Sequence, residues 1–303
     1  MLKDTMLYLA RQEGIRDFVI HNPTVRRVAR RFVAGEALDE AIAATAPLNR
    51  QHIAVSLDHL GENVSDAAEA ASAARDYIVI LDRIQNEGVE ANISVKLTAL
   101  GLDIGTELCR DNLAQVLERA RAYGIFVRVD MEGSDYTERT LDMVVELHQE
   151  FANVGTVLQS MLLRTPEDAE RLIQEGVRVR LVKGAYLESH TIAYPRKAEV
   201  DTAYLRILHQ LLERGVYPAI ATHDEHIIAD AKRFAAEHGI AHARFEFQML
   251  YGIRRDLQVR LASEGYNVRV YVPYGTQWYP YLTRRMAERP ANLVFVAGNV
   301  FRG

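Results

Sequence analysis

Between residues 52 and 274 the chain alternates eight times between a short β-branched run and a longer segment of helical periodicity. This alternation limits the folds open to it more than any other feature. The runs are HIAVSLD at 52–58, NISVKL at 92–97, IFVRVDM at 125–131, VGTVLQS at 154–160, VRVRLVK at 177–183, PAIATHD at 218–224, RFEFQML at 244–250 and VRVYVPY at 268–274. The segments between them are amphipathic. In 106–123, for example, Leu108, Leu113, Val116 and Leu117 share one face and charges occupy the other. A strand, a crossover helix and a parallel strand form the repeating unit of α/β proteins. Eight such units in about 220 residues match a (β/α)₈ TIM barrel. A doubly wound open sheet is the other reading of the pattern, and the count of eight favours the barrel. The segment 1–46 reads as helical and is expected to flank the barrel, leaving 47–303 as the catalytic barrel. Thr165 followed by Pro166 predicts an N-cap and first helical residue, and Gly124, Gly176, Gly215 and Gly239 mark expected helix stops.

Composition narrows the function. The net charge of −5 argues against sequence-independent nucleic-acid binding, which needs clustered cations. The single cysteine, Cys109, permits no intrachain disulfide and no Cys-based zinc cluster, and fits a reducing compartment. No apolar run approaches the roughly 18 residues of a membrane span. Lys3, Asp4, Arg11 and Gln12 break the N-terminal stretch where a signal peptide would have its apolar core. The expected location is the cytoplasm, with room for peripheral contact at the inner face of the cell membrane.

In this fold, chemistry sits at the C-terminal ends of the strands. Those ends read Asp58, Lys96, Asp130, Gln159, Lys183, His223, Gln248 and Tyr271. One polar strand end means little, but a barrel gathers all eight around one mouth. Lys96, flanked by apolar residues, needs a partner, and Asp130 is the expected one. The pair reads either as a buried structural ion pair or as charges at a substrate, and Lys96 could also form a Schiff base. Arg180 lies inside a strand. Alternation puts it opposite Lys183, so the two share a ligand only if the strand bends or Lys183 lies beyond its end. Arg284, Arg285 and Glu288 follow the last strand. They form either a solvated charged face, with intrahelical pairing available, or a guanidinium pair converging on a carboxylate. His223 and His226 are spaced as a metal pair could be, but no third ligand is apparent and no metal is expected. No Gly-x-Gly occurs, so the dinucleotide fingerprint is missing, and so is the Gly-x-Ser-x-Gly elbow.

The segments SVKLTALG, FVRVDMEG, VLQSMLLRT, VRLVKGAY, ATHD, FEFQMLYG and YVPYGTQWYPYLTRRMAERPAN together resemble the proline dehydrogenase family in its monofunctional bacterial form. The resemblance implies a distorted (β/α)₈ barrel with its last helix over the mouth. It also implies oxidation of L-proline to Δ1-pyrroline-5-carboxylate, FAD as cofactor and a membrane quinone as electron acceptor. Carried over by position, Arg284, Arg285 and Lys96 would hold the proline carboxylate. Asp130 would lie near the amine and orient Lys96, Tyr271 and Tyr186 would wall the ring, and Glu288 would hold Arg285. Glu62 would pair with Arg284 as a gate. On the cofactor side the resemblance implies Arg180 near N5, Gln159 at the pyrimidine edge, and Lys183, Thr222 and His223 along the phosphate and ribose. Asp130, Gly184, Ala185 and Gln248 complete that set. Two other classes stay open: a Schiff-base lyase or aldolase using Lys96, and a non-catalytic sensor of an amino acid or flavin. The apolar stretch NLVFVAGNVF near the C-terminus could aid docking at a membrane or pack on the barrel.

Overall fold

A computed structural model describes residues 29–62 and 64–288, with backbone only for 284–288. Among the described residues, helix α1 (Leu38–Asn49) precedes the first strand. It is followed by β1 (Ile53–His59), α2 (Ala67–Glu87), β2 (Ala91–Val95), α3 (Thr106–Ala122), β3 (Val127–Val129), α4 (Ser134–His148) and β4 (Val154–Gln159). The chain continues through α5 (Thr165–Gln174), β5 (Arg178–Val182), α6 (Lys197–Arg214), β6 (Ala219–Ala221) and α7 (Glu225–Glu237). It ends with β7 (Glu246–Leu250), α8 (Arg255–Ser263), β8 (Asn267–Tyr274) and α9 (Trp278–Glu288). The eight strands are parallel and close in sequence order, β8 pairing back onto β1 from Ile53↔Val268 to His59↔Tyr274. The fold is the (β/α)₈ barrel that the alternation predicts.

Period-2 alternation sorts each strand into two environments. One set of positions joins the apolar layer under the helices: Ile53, Val55 and Leu57 from β1, Val127 and Val129 from β3, Val268, Val270 and Val272 from β8. Tyr77 and Leu81 of α2 and Leu113, Val116 and Leu117 of α3 meet them there. The alternate set is polar and turns into the barrel: Ser56, Ser94, Arg128, Arg180, Glu246 and Gln248 are all buried. Contacts between strands mark this interior. Ser56 and Ser94 hydroxyls lie 3.2 Å apart, and Arg180 Nη2 donates to Ser94 at 3.1 Å. A mid-strand arginine is therefore normal here, because the lumen is hydrogen-bonded rather than greasy.

The N-terminal side of the barrel is flanked by α1, which packs on β1 and β8. The last helix, α9, crosses the mouth. Trp278, Tyr279, Tyr281 and Leu282 bury themselves against Phe32, Val33 and Leu60 in a separate apolar cluster, with Tyr271 packed at its edge. One expectation about helix ends needs correction. Thr165 does not cap α5 but is its first residue, and its hydroxyl donates to Gln159 O at 2.5 Å, tying the helix start to the end of β4. Gly215 ends α6 as expected, though with φ −78° rather than the left-handed form of Gly124, Gly176 and Gly239. A side chain there would run into Leu211 O, which lies 2.6 Å from an ideal Cβ. The segments 1–28 and 289–303, NLVFVAGNVF included, lie outside the described residues.

Candidate active site

A cavity of about 650 Å³ opens at the C-terminal ends of the strands, and all eight predicted strand-end residues line it. Arg180, Gly184, Ala185, Tyr186 and Thr222 line it too. The barrel explains the convergence. Parallel strands point the same way, so residues at or near each tip reach the same mouth; Gln248 and Tyr271 reach it from inside β7 and β8 rather than from their ends. Strand β5 stops at Val182, so Lys183 lies beyond the alternation and shares the cavity with Arg180.

The charges at the base of the cavity pair differently from the sequence-based expectation. Asp58, not Asp130, is the hydrogen-bonded partner of Lys96: Nζ donates to Oδ1 at 2.8 Å. Asp58 is the last residue but one of β1, the direct neighbour of β2, and lies level with Ser94. Asp130 is held elsewhere. It accepts from Arg180 Nη1 at 2.7 Å and, on its other oxygen, from the Tyr271 hydroxyl at 2.7 Å. Tyr271 lies under the Arg180 guanidinium, 5.3 Å from ring centroid to Cζ. Glu62 stands 4.0 Å from Lys96 Nζ. Side chains of Arg284, Arg285 and Glu288 lie outside what is described, so the expected carboxylate clamp, the Glu62–Arg284 gate and the Glu288–Arg285 pair lie there as well.

Burial acts strongly on these groups. It pulls the Lys96 ammonium toward deprotonation, but the carboxylates of Asp58, Asp130 and Glu62 outweigh it and hold its pKa well above the ordinary value. Burial, with the charge of Asp130 added, pushes the Tyr271 hydroxyl far up as well, so it stays a donor. Glu132 was not singled out from sequence. Its carboxylate accepts from the Thr98 hydroxyl at 2.7 Å and the Thr98 N–H at 3.2 Å, yet burial still raises its pKa.

The far end of the cavity is cationic and braced. Lys183 Nζ bridges Asp201 Oδ1 at 2.6 Å and Asp224 Oδ2 at 2.9 Å, and Lys197 also pairs with Asp201. Sequence reasoning found Lys183 but missed Lys197, Asp201 and Asp224, which ordinary helix-start positions disguise. Asp224 also caps α7, accepting from His226 N–H at 3.1 Å, while His226 itself is exposed. His223 Nε2 accepts from Leu250 N–H at 3.0 Å, which puts the ring proton on Nδ1. Gln159 donates its amide to Glu132 O at 2.9 Å, leaving its side-chain carbonyl as an acceptor. Gly184 adopts φ +110°, and a Cβ there would meet Met161 Sδ at 2.4 Å, so both the backbone conformation and the packing of Met161 require glycine. Among the described residues no group of His, Cys, Asp and Glu could hold a metal ion.

Comparison with known proteins agrees with this arrangement. The sequence model of the family described as Proline dehydrogenase matches residues 41–298. The chain is 44% identical to Proline dehydrogenase of Deinococcus radiodurans, over 94% of this chain and 96% of that protein. It is 40% identical to Proline dehydrogenase 1 of Bacillus subtilis over the whole of both chains. Among solved structures it is similar to proline utilization A (PutA) from Bdellovibrio bacteriovorus inactivated by N-propargylglycine. The TM-score is 0.83 and the identity 26%, over 93% of this chain and 37% of that longer one. A barrel of this closure, a polar mouth built from all eight strands and relatives matched nearly end to end lead to one conclusion: the chain belongs to the proline dehydrogenase family.

Proposed function

We propose that the cavity oxidises L-proline to Δ1-pyrroline-5-carboxylate, the first step of proline catabolism, with FAD as hydride acceptor and a membrane quinone receiving the electrons. The observation that carries this reading is the convergence of all eight strand-end residues on one cavity in a chain of this family. The residues suit the cofactor. Lys183 and the Nδ1–H of His223 are cationic and donating groups for a diphosphate, with Thr222 beside them. Gly184 and Ala185 offer backbone at close range. The free carbonyl of Gln159 fits the N–H of a pyrimidine ring, and Gln248 flanks it. Arg180 Nε is buried without a partner among the described residues. Bound flavin supplies the electron sink, and the protein tunes it.

Lys96 presents a fixed positive charge for the substrate carboxylate, joined in this reading by Arg284 and Arg285. Cations there disfavour a further positive charge on the amine and lower its pKa, and the neutral amine releases hydride more readily. Tyr271 and Tyr186 wall the ring, and Asp130 holds Tyr271 and Arg180 in place. Arg180 puts a guanidinium where negative charge on the flavin ring is stabilised. A Schiff base on Lys96 is disfavoured, because its ammonium is kept protonated by carboxylates and is a poor nucleophile. No helix among the described residues is long and apolar enough to cross a membrane. In this reading the quinone is reduced by peripheral contact at the inner face of the membrane. The test is a visible absorption spectrum before and after anaerobic addition of L-proline. Flavin bands that bleach with L-proline and not with D-proline support the reading. A protein that stays colourless after incubation with FAD overturns it.

A further inference from the structure

We infer that Asp58 is a positioning residue for substrate capture: it fixes Lys96 as a buried cation at the cavity wall and aims it at the substrate carboxylate. The inference rests on the proline reading above and adds to it a residue outside the carboxylate clamp and the cofactor set.

The geometry is specific. Asp58 and Lys96 side chains are 1% and 7% exposed, and their 2.8 Å hydrogen bond is the closest ion pair Lys96 makes among the described residues. The other nearby carboxylates do not replace Asp58. Asp130 is engaged by Arg180 and Tyr271, and Glu62 stands 4.0 Å away. The second oxygen of Asp58, Oδ2, is buried and has no hydrogen-bond partner among the described residues. Asp58 also neighbours the Tyr271 hydroxyl at the cavity wall, and Lys96 is the one ion-pair partner it has among the described residues. A buried ion pair is a poor device for stability, since apolar side chains of the same volume usually serve as well or better. Here both partners line the cavity. An ammonium has three donors; Asp58 takes one and so sets the direction of the others.

The other groups facing Lys96 are Glu62 after β1, Asp130 after β3, Tyr77 of α2 and, more weakly, Glu132. Burial opposes the charged form, and Asp58 is the strongest group opposing burial. Without it, the ammonium becomes titratable at lower pH.

The experiment uses the flavin-loaded protein and tetrahydrofuran-2-carboxylate, which keeps the ring and carboxylate of proline but has no amine to titrate. Its Kd is read from the flavin spectrum between about pH 7 and about pH 10. Wild type is expected to bind with a Kd that Lys96 does not make pH-dependent. Asp58→Asn is expected to bind about tenfold more weakly at neutral pH and to weaken further as pH rises, an alkaline limb that a merely structural defect would not create. Lys96→Met is expected to bind weakly at every pH in this range, and Asp58→Asn added to it is expected to weaken binding no further. An Asp58→Asn protein with the Kd and pH profile of wild type overturns the inference. So does a further loss when Asp58→Asn is added to Lys96→Met. That second comparison does not need the single Asp58→Asn variant to fold, and the double variant leaves neither a buried ammonium nor a buried carboxylate unpaired. A wild type that neither bleaches with L-proline nor binds the analogue sinks the proline reading itself, which separates the two failures.

Discussion

Single residues at this site are defined by which partner they hold. Arg180 meets Asp130 at 2.7 Å with both largely buried, so removing the guanidinium leaves a buried carboxylate held only by Tyr271. Arg180→Met is expected to slow anaerobic flavin reduction by L-proline by about 10²-fold or more, the scale of losing one preorganised electrostatic group. Stopped-flow bleaching at saturating L-proline measures this, and an unchanged rate would remove Arg180 from the chemistry. Glu132 makes a prediction in pH. Burial raises its folded-state pKa above the unfolded value of about 4.3. The folded state therefore binds the proton more tightly. The stability this contributes is fully present below the unfolded pKa and is lost as pH rises through the folded one. Glu132→Gln, neutral throughout, should match the Tm of wild type at acid pH and exceed it as pH rises through the folded pKa, where wild type loses this stability. Parallel melting profiles across that range would contradict it.

At the level of elements, the loop between β5 and α6 carries Tyr186 into the cavity and is fastened from across the mouth. The Glu188 carboxylate accepts the Ser134 N–H at 2.9 Å and the Ser134 hydroxyl, at the N-terminus of α4. An acidic side chain there satisfies a helix-start donor and opposes the helix dipole. The same loop is tied to α5's approach by Leu163 N–H on Ile192 O at 2.9 Å. Ser134→Ala or Glu188→Gln is expected to cost about 0.5–2 kcal/mol, as loss of a helix cap does. It should also speed limited proteolysis between residues 185 and 192 and raise KM for L-proline with little change in kcat. A loop equally resistant to protease in both variants would show that the fastening has no such role.

The whole molecule depends on a polar lumen that closes on itself. Below the cavity Glu246 receives Arg269 Nε on both oxygens, at 3.2 and 3.1 Å, and also the Gln248 amide. Arg128, fully buried, donates to Thr156 O at 2.8 Å and Arg178 O at 2.6 Å. These bonds link strands around the barrel, so breaking one member leaves a charge with no water to turn to. Glu246→Ala is expected to cost about 3–5 kcal/mol, and Glu246→Met combined with Arg269→Met to recover most of it. Equilibrium unfolding in denaturant tests this, and a double variant as unstable as the single one would refute it.

The sequence by itself determined the architecture and the membership of the site. Eight β-branched runs, each followed by a helical segment, favour a barrel over an open sheet, and closure leaves the parallel sheet without edges. The polar residue at the end of each run is carried to the mouth by strand direction alone, so Asp58, Lys96, Gln159, Lys183, His223 and Gln248 could be read in advance. Tertiary structure decided which of them touch. Alternation gives the face of a strand but not the stagger between neighbours, and stagger sets Lys96 on Asp58 and frees Asp130 for Arg180 and Tyr271. Contacts made by residues beyond the strand ends carry no periodic signal at all. The Lys183 bridge to Asp201 and Asp224 and the reach of Glu188 to Ser134 therefore appear only once the barrel has closed and the helices have settled around it.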